Sequence, residues 1–224
     1  MRNCEVKIDP DFLAKYPVVT FERGAILFQK GKELKYIYYL TEGICAGMDL
    51  MVNGSHVFPL FYHEGEFMGV AKELLMTGSN IPMGNCVAKT KAAAYKVPVE
   101  EFRIYIRQYP EVYQEVAKSV INSQHEMLHI AHMRIRGNSV AIVCNCLAAL
   151  MRPLWRDKKD YYVPSVFTIT DISANIQLHR VTVSRIMKRL TEAGIIEKKS
   201  YGWKILNANL LEEYASGEKL FEYE

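Results

Sequence analysis

The apolar positions of this chain change their period twice. Between about Val18 and Val97 they come in short runs cut by Gly24, Gly31, Gly43, Gly54, Gly65, Gly69 and Gly78, the punctuation of an all-β domain. Asn53-Gly54, between runs ending at Val52 and starting at Ser55, supplies the two positive-φ positions of a tight hairpin turn. Strands of this kind close as a roll or sandwich. From Pro110 the period becomes helical, with no glycine or proline before Gly137. Val116, Val120, Met127 and Ile130 form one apolar line, and Tyr113, Ala117, Val120, Gln124, Met127 and Ala131 form a neighbouring one. Two adjacent lines predict a helix that packs on the β domain with one face and on a twin helix with the other. The plainer alternative is a single amphipathic helix on its own core.

After Gly137 a second apolar helix, "SVAIVCNCLAALMRPLW", leads into a charged and aromatic loop, "RDKKDYYVPS". Two helices and a hairpin follow. Thr168 caps the first, about two turns long, and Asp171 returns the bond as in a capping box. Gln177-Leu178-His179 makes a short turn. In the second helix Val183, Ile186, Met187 and Leu190 bury one face and leave Arg180, Ser184, Arg185 and Lys188 outside, together with an apolar, β-branched Val181. "GIIEKKSYGWKILN" reads as two strands about a Ser200-Tyr201-Gly202 tip. The sum is a winged helix-turn-helix. The expected fold is α+β: a β-roll over residues 1–108, similar to a cupin-like jelly roll, a dimerisation helix over 109–137 and the winged unit over 138–224.

Composition narrows the function. With 224 residues, half of them hydrophobic, the chain suits one large domain or two modest ones. No apolar run can span a bilayer, and the charged start "MRNCEVKIDPDFLAKYP" lacks a signal-peptide core, so cytoplasmic residence without a membrane partner is expected. Cys4, Cys45, Cys86, Cys144 and Cys146 make an odd count without a framework and read as thiols in a reducing compartment. The net charge is only +3, but Arg180, Arg185, Lys188, Arg189, Lys198, Lys199 and Lys204 face just Glu192 and Glu197 between Gln177 and Lys204. That stripe suits a polyanion.

The order of parts resembles the catabolite-activator/fumarate-nitrate-reduction (CRP/FNR) family of bacterial transcription regulators. "FERGAILFQKGKELKYIYYLTEGICAGM" and "GEFMG" are similar to its effector-binding β-roll, the helix after Pro110 to its dimer helix, and "VTVSRIMKRLTEAGII" to its recognition helix. The resemblance implies a homodimer on double-stranded DNA, with a small-molecule effector and with RNA polymerase as a partner, the last in keeping with an activator. Members that bind cyclic AMP use a Glu and an Arg-Ser pair where this chain has Val70, and Pro82 with Met83, so cyclic AMP is disfavoured. An iron–sulfur cluster is disfavoured too, because Cys4 stands alone near the N-terminus, and no other cofactor is expected. "TGSNI" and "HRVTVSR" resemble the halorespiration regulators, which sense chlorinated aromatics. That likeness implies an apolar or aromatic effector among Met68, Val70, Leu74, Ile81 and Met83 of the roll and Met127 or Leu128 of the long helix.

Against DNA, the resemblance implies that His179, Arg180, Val181, Ser184 and Arg185 approach bases or flanking backbone, and that Thr182, Lys188, Lys198, Lys199 and Lys204 lie near phosphates. In the cyclic AMP branch a Glu at the position of Val181 selects a G·C pair. Valine presses instead on the thymine methyl, so an A/T-rich operator is expected; the alternative packs Val181 on Val163 or Val166.

Other chemistry is thinner. His125, His129 and His132 share a helical face and could bind a transition metal, or form a polar face of the dimer helix. Cys144 and Cys146 point about 200° apart on a helix, which argues against chelation and for packing. His56, His63, Glu64 and Glu66 raise a metal-dependent cupin-type enzyme with a DNA-binding tail, but no paired His-x-His accompanies them. No metal site and no catalytic residue are assigned. A ligand-independent architectural DNA-binding dimer is the third reading.

Overall fold

The computed structural model describes residues 8–50, 56–70, 80–82, 84–136, 138–153 and 160–219. The chain divides into two compact units, one of residues 2–49 and 58–126 and the other mainly of residues 127–224, so the division falls inside the long helix.

The first unit holds α1 (Pro10–Leu13), β1 (Val18–Phe21), β2 (Ile26–Phe28), β3 (Tyr36–Glu42), β4 (Cys45–Leu50), β5 (His56–Tyr62), β6 (Phe67–Met68), β7 (Asn85–Ala88), β8 (Ala92–Pro98) and α2 (Val99–Gln108). They form two four-stranded sheets, β1-β8-β3-β6 and β2-β7-β4-β5. The period of two explains how the first sheet buries both faces. Tyr38, Leu40, Met68 and Ala94 enter the roll interior with Leu27, Cys45 and Cys86 of the second sheet. Their chain neighbours Ile37 and Phe67, with Val97, join Phe12, Phe102 and Ile106 of the helical side. β4 and β5 are neighbours in the second sheet. The Asn53-Gly54 turn expected between them lies outside the described residues.

The second unit contains α4 (Ser139–Leu150), β9 (Arg152–Pro153), β10 (Tyr161–Pro164), α5 (Ile169–Ile176), α6 (Arg180–Glu192), β11 (Ile196–Lys199), β12 (Gly202–Ile205) and α7 (Ala208–Ser216). α4 is buried along most of its length and contacts α7, a helix that the acidic tail did not suggest. The segment expected as a charged loop contains two short strands. β10 pairs with β12 on one side and β9 on the other, so the wing is a four-stranded sheet, β11-β12-β10-β9. The long helix, α3 (Pro110–Ile135), spans the division between the units. None of the described helices is long and apolar enough to cross a membrane.

The expected capping box is present: Asp171 N donates to Thr168 Oγ1 at 3.1 Å and Thr168 N donates to Asp171 Oδ2 at 3.0 Å. α5 then ends on Gln177 in the left-handed region, at φ 53° and ψ 40°. A side chain with a Cβ is strained there, whereas glycine is at ease. Gln177→Gly should therefore raise stability by up to about 1 kcal/mol, the strain relief exceeding the freedom glycine adds to the unfolded chain. Parallel melts check this, and a lowered midpoint would overturn it.

Candidate nucleic-acid interface

α6 meets the rest of its unit through Val183, Ile186, Met187 and Leu190, all buried as their spacing required. Its other side is open. Arg180, Ser184, Arg185 and Lys188 are exposed, Thr182 is half-buried, and Val181 is 64% exposed. Val163, by contrast, is fully buried, which leaves Val181 directed to solvent. His179 has a role the sequence did not reveal: as N-cap, its Nδ1 accepts the Val181 N–H at 3.3 Å. The first turn of α6 thus combines free backbone donors, the positive end of the helix dipole and Arg180, a combination that favours an anion.

The cations fall into two groups. Among the described residues Arg180 and Arg185 make no ion pair, so each guanidinium is available to a phosphate or a base edge. Lys188 reaches Glu192 at 3.6 Å, Lys199 reaches Glu197 at 2.6 Å and Lys204 reaches Asp160 at 3.4 Å. The hydrogen bond to Glu197 holds the Lys199 ammonium above its ordinary range, so it is charged at neutral pH. Solvent screens exposed pairs of this kind, so a phosphate can replace the carboxylate. Lys198 sits 4.5 Å from the Trp203 ring centroid, and Tyr162 meets Tyr201 edge to face at 5.6 Å. These aromatic contacts stiffen the wing. Neutralising Lys199 or Lys204 to Gln should weaken binding to every duplex and reduce the slope of log affinity against log salt by about 1. An unchanged slope would show that the wing lysines are merely solvated.

The residues expected around an effector do not share one environment. Met68 lies in the roll interior and Val70 in the helical-side core, both buried, while Ile81 is half-buried. Leu74 and Met83 lie outside the described residues, as does the Met127 side chain. Leu128 is 57% exposed. The roll unit does hold a pocket of about 330 Å³, lined by Phe28, Leu34, Tyr36 and Tyr38 with Lys32 and Lys35, residues the sequence reading passed over.

On α3, Val112 and Val116 are buried, with Tyr113 and Val120 packed against the same core. Ile121 and Ile135 are exposed together with Leu128. These three stand seven residues apart, and Ala117, Gln124 and Ala131 each precede one of them by four residues, the spacing of a two-stranded seam. The expected line through Val116 and Val120 marks the inner face, and the neighbouring expected line contains Ala117, Gln124 and Ala131 of the outer seam but not its large residues Ile121, Leu128 and Ile135. His125 and His132 are exposed, and the side chain of His129 lies outside the described residues. Among the described residues no three His, Cys, Asp or Glu side chains stand close enough to hold a metal ion.

Glu64 accepts the Gly43 N–H at 3.3 Å and Glu66 the His63 N–H at 2.8 Å, so both carboxylates hold turns. Cys144 and Cys146 are buried packing residues whose thiols burial pushes up to about 12 and about 11, well clear of the reactive range.

Two family comparisons match the chain: the cyclic nucleotide-binding domain over residues 18–109 and the Crp-like helix-turn-helix domain over residues 143–214. Among solved structures, a mutant of CooA from Carboxydothermus hydrogenoformans is 13% identical, with 92% of this chain and 90% of that one covered and a TM-score of 0.68. A transcriptional regulator of the CRP family from Thermus thermophilus is 19% identical, covering 88% and 96%, with a TM-score of 0.64. CprK complexed with OCPA is 18% identical, covering 91% of each chain, with a TM-score of 0.57. No curated protein sequence gives a significant match. A cyclic nucleotide-binding domain followed by a Crp-like helix-turn-helix domain places the chain in the CRP/FNR family of DNA-binding transcription regulators.

Proposed function

We propose that the chain binds an inverted-repeat, A·T-rich operator as a homodimer, and that a small apolar or aromatic molecule held by the β-roll unit controls this binding. The observation that carries the reading is α6: an exposed face of Arg180, Val181, Ser184, Arg185 and Lys188 on a helix whose opposite face is buried. The heptad of exposed Ile121, Leu128 and Ile135 supports the dimer, because a lone helix has no use for such a seam. CprK, one of the proteins of similar fold, was solved in complex with OCPA, and a pocket in the roll unit of this chain has aromatic walls in Phe28, Tyr36 and Tyr38. Action on RNA polymerase follows the same family analogy.

Two helices related by a dimer axis enter successive major grooves, so the half-sites should sit about one helical turn apart, roughly 34 Å. Selection from random duplex, followed by sizing of free and bound protein, tests this. A two-fold symmetric site and a dimer are expected. A monomer at micromolar concentration that still binds a single site tightly would overturn the reading.

A further inference from the structure

The interior of the roll holds three sulfur atoms that DNA recognition does not use. Cys45 on β4 and Cys86 on β7 come from one sheet and Met68 on β6 from the other, and all three side chains are fully buried. Cys45 pairs with Ala88 and Cys86 with Gly47, so the two cysteines are diagonal neighbours on the same face of adjacent strands. Cys86 Sγ lies 3.8 Å from Met68 Sδ across the roll. The surroundings are Leu27, Leu40, Ala88, Ala92 and Ala94, with the phenol ring of Tyr38.

As filler, such a trio is unremarkable, since cysteine packs as a small hydrophobe and methionine fills gaps. Its geometry goes further. Three sulfurs bound in a plane at about 2.3 Å from one ion stand about 4 Å from each other, close to the separation of Cys86 and Met68. The three sulfurs are soft donors, and the oxygen in this cluster, the Tyr38 hydroxyl, is turned to the Leu27 carbonyl, to which it donates at 3.5 Å. Zinc, which takes four ligands from nitrogen, sulfur and oxygen, is poorly matched. Thiolate and thioether donors select monovalent copper. We infer that Cys45, Cys86 and Met68 form a site for Cu(I) inside the β-roll.

Binding is a ligand exchange without redox change. Two S–H bonds break, two copper–thiolate bonds form, Met68 adds a thioether bond, and two protons leave to solvent. The complex carries one negative charge, and burial pushes the Cys86 thiol well up, so copper competes with protons and its affinity rises with pH. Because the sulfurs are sealed from water, loading needs the roll to open transiently, which makes it slow. The inference is independent of the effector and operator proposed above.

The test is anaerobic titration of the full chain with Cu(I) against a chelator of known affinity, run to a stationary reading. One copper per chain is expected, with thiolate-to-copper absorption in the near ultraviolet and sulfur scatterers at about 2.3 Å by X-ray absorption. Cys45→Ala and Cys86→Ala should abolish the site. Met68→Leu keeps the core volume and the fold while removing the thioether, and should weaken binding at least tenfold. A chain carrying Cys4→Ser, Cys144→Ala and Cys146→Ala should bind as the parent does. Stoichiometric copper in either single-cysteine variant would overturn the inference. So would unchanged affinity in a folded Met68→Leu chain, or no uptake by the parent chain even after refolding in the presence of Cu(I).

Discussion

Gly202→Ala should destabilise the winged unit by about 3 kcal/mol, through both overpacking and backbone strain. Gly202 opens β12 at φ 144°, where an L side chain is strained before it meets any neighbour. It has neighbours as well. A Cβ built there runs into the carbonyl oxygen of Val163 on β10, and stands 2.9 Å from Ser165 N and 3.0 Å from Pro164 C. All three are backbone atoms, so no rotamer change relieves the clash. The residue also sits in the middle of the wing: Gly202 pairs with Pro164 on one side and with Lys199 on the other, and Ser165 N donates to the Tyr201 carbonyl at 2.9 Å. Pushing β12 off β10 therefore disturbs the strands that carry Lys198, Lys199 and Lys204. A lower melting midpoint and a weaker affinity for all duplexes should appear together. Ser200→Ala, at the exposed tip two residues earlier, should stay within about 0.5 kcal/mol of the parent. If Gly202→Ala melts with the parent, the close approach of β12 to β10 is wrong.

How much of this could be read from sequence depends on where the information lies. Periodicity alone placed Val183, Ile186, Met187 and Leu190 inside and Arg180, Ser184, Arg185 and Lys188 outside, because one helix packed on one core leaves little choice. The Thr168–Asp171 box was equally legible, since both partners lie within a single turn. The strands β9 and β10 were hidden. β10 pairs with β12, some forty residues away from Tyr162, and β9 pairs with β10, while "DKKDYY" has the charge of a loop. The outer face of α3 was misjudged for a similar reason. Val116 and Val120 stand out as β-branched residues, but only tertiary packing reveals that they face inward and that Ile121 and Ile135 do not.

The sensor was least legible. Met68 and Val70 are two residues apart on opposite sides of the glycine turn at Gly69 and enter different cores, which no apolar pattern distinguishes. The pocket wall at Phe28, Tyr36 and Tyr38 mixes residues of β2, β3 and the loop between them. Lysines at 32 and 35 make that loop look like ordinary surface. A ligand that binds only the folded chain raises the melting temperature, so a thermal-shift screen of aromatic acids addresses this pocket directly.

Val181→Glu should move operator preference from T·A toward C·G at one base pair by roughly 1–3 kcal/mol. Val181 is the second residue of α6, 64% exposed beside Arg180 and Ser184, where a β-branched side chain gains nothing from burial. In the major groove it can press its methyls on the C5-methyl of thymine, a group that cytosine lacks. A carboxylate at the same place is repelled by thymine O4 and accepts a hydrogen bond from cytosine N4. The substitution is safe for the fold, because an acidic residue in the first turn of a helix is favourable to the dipole, and the Val181 N–H keeps its bond to His179. The added charge weakens attraction to the polyanion as a whole, so absolute affinity falls on both operators; the ratio between them isolates the base contact. Two duplexes differing only at that pair, measured at one salt concentration with parent and variant, give the four affinities needed. An unchanged ratio would mean that Val181 reads no base, and the sequence preference of this helix would then rest on Arg180 and Arg185, which make no ion pair with any described residue.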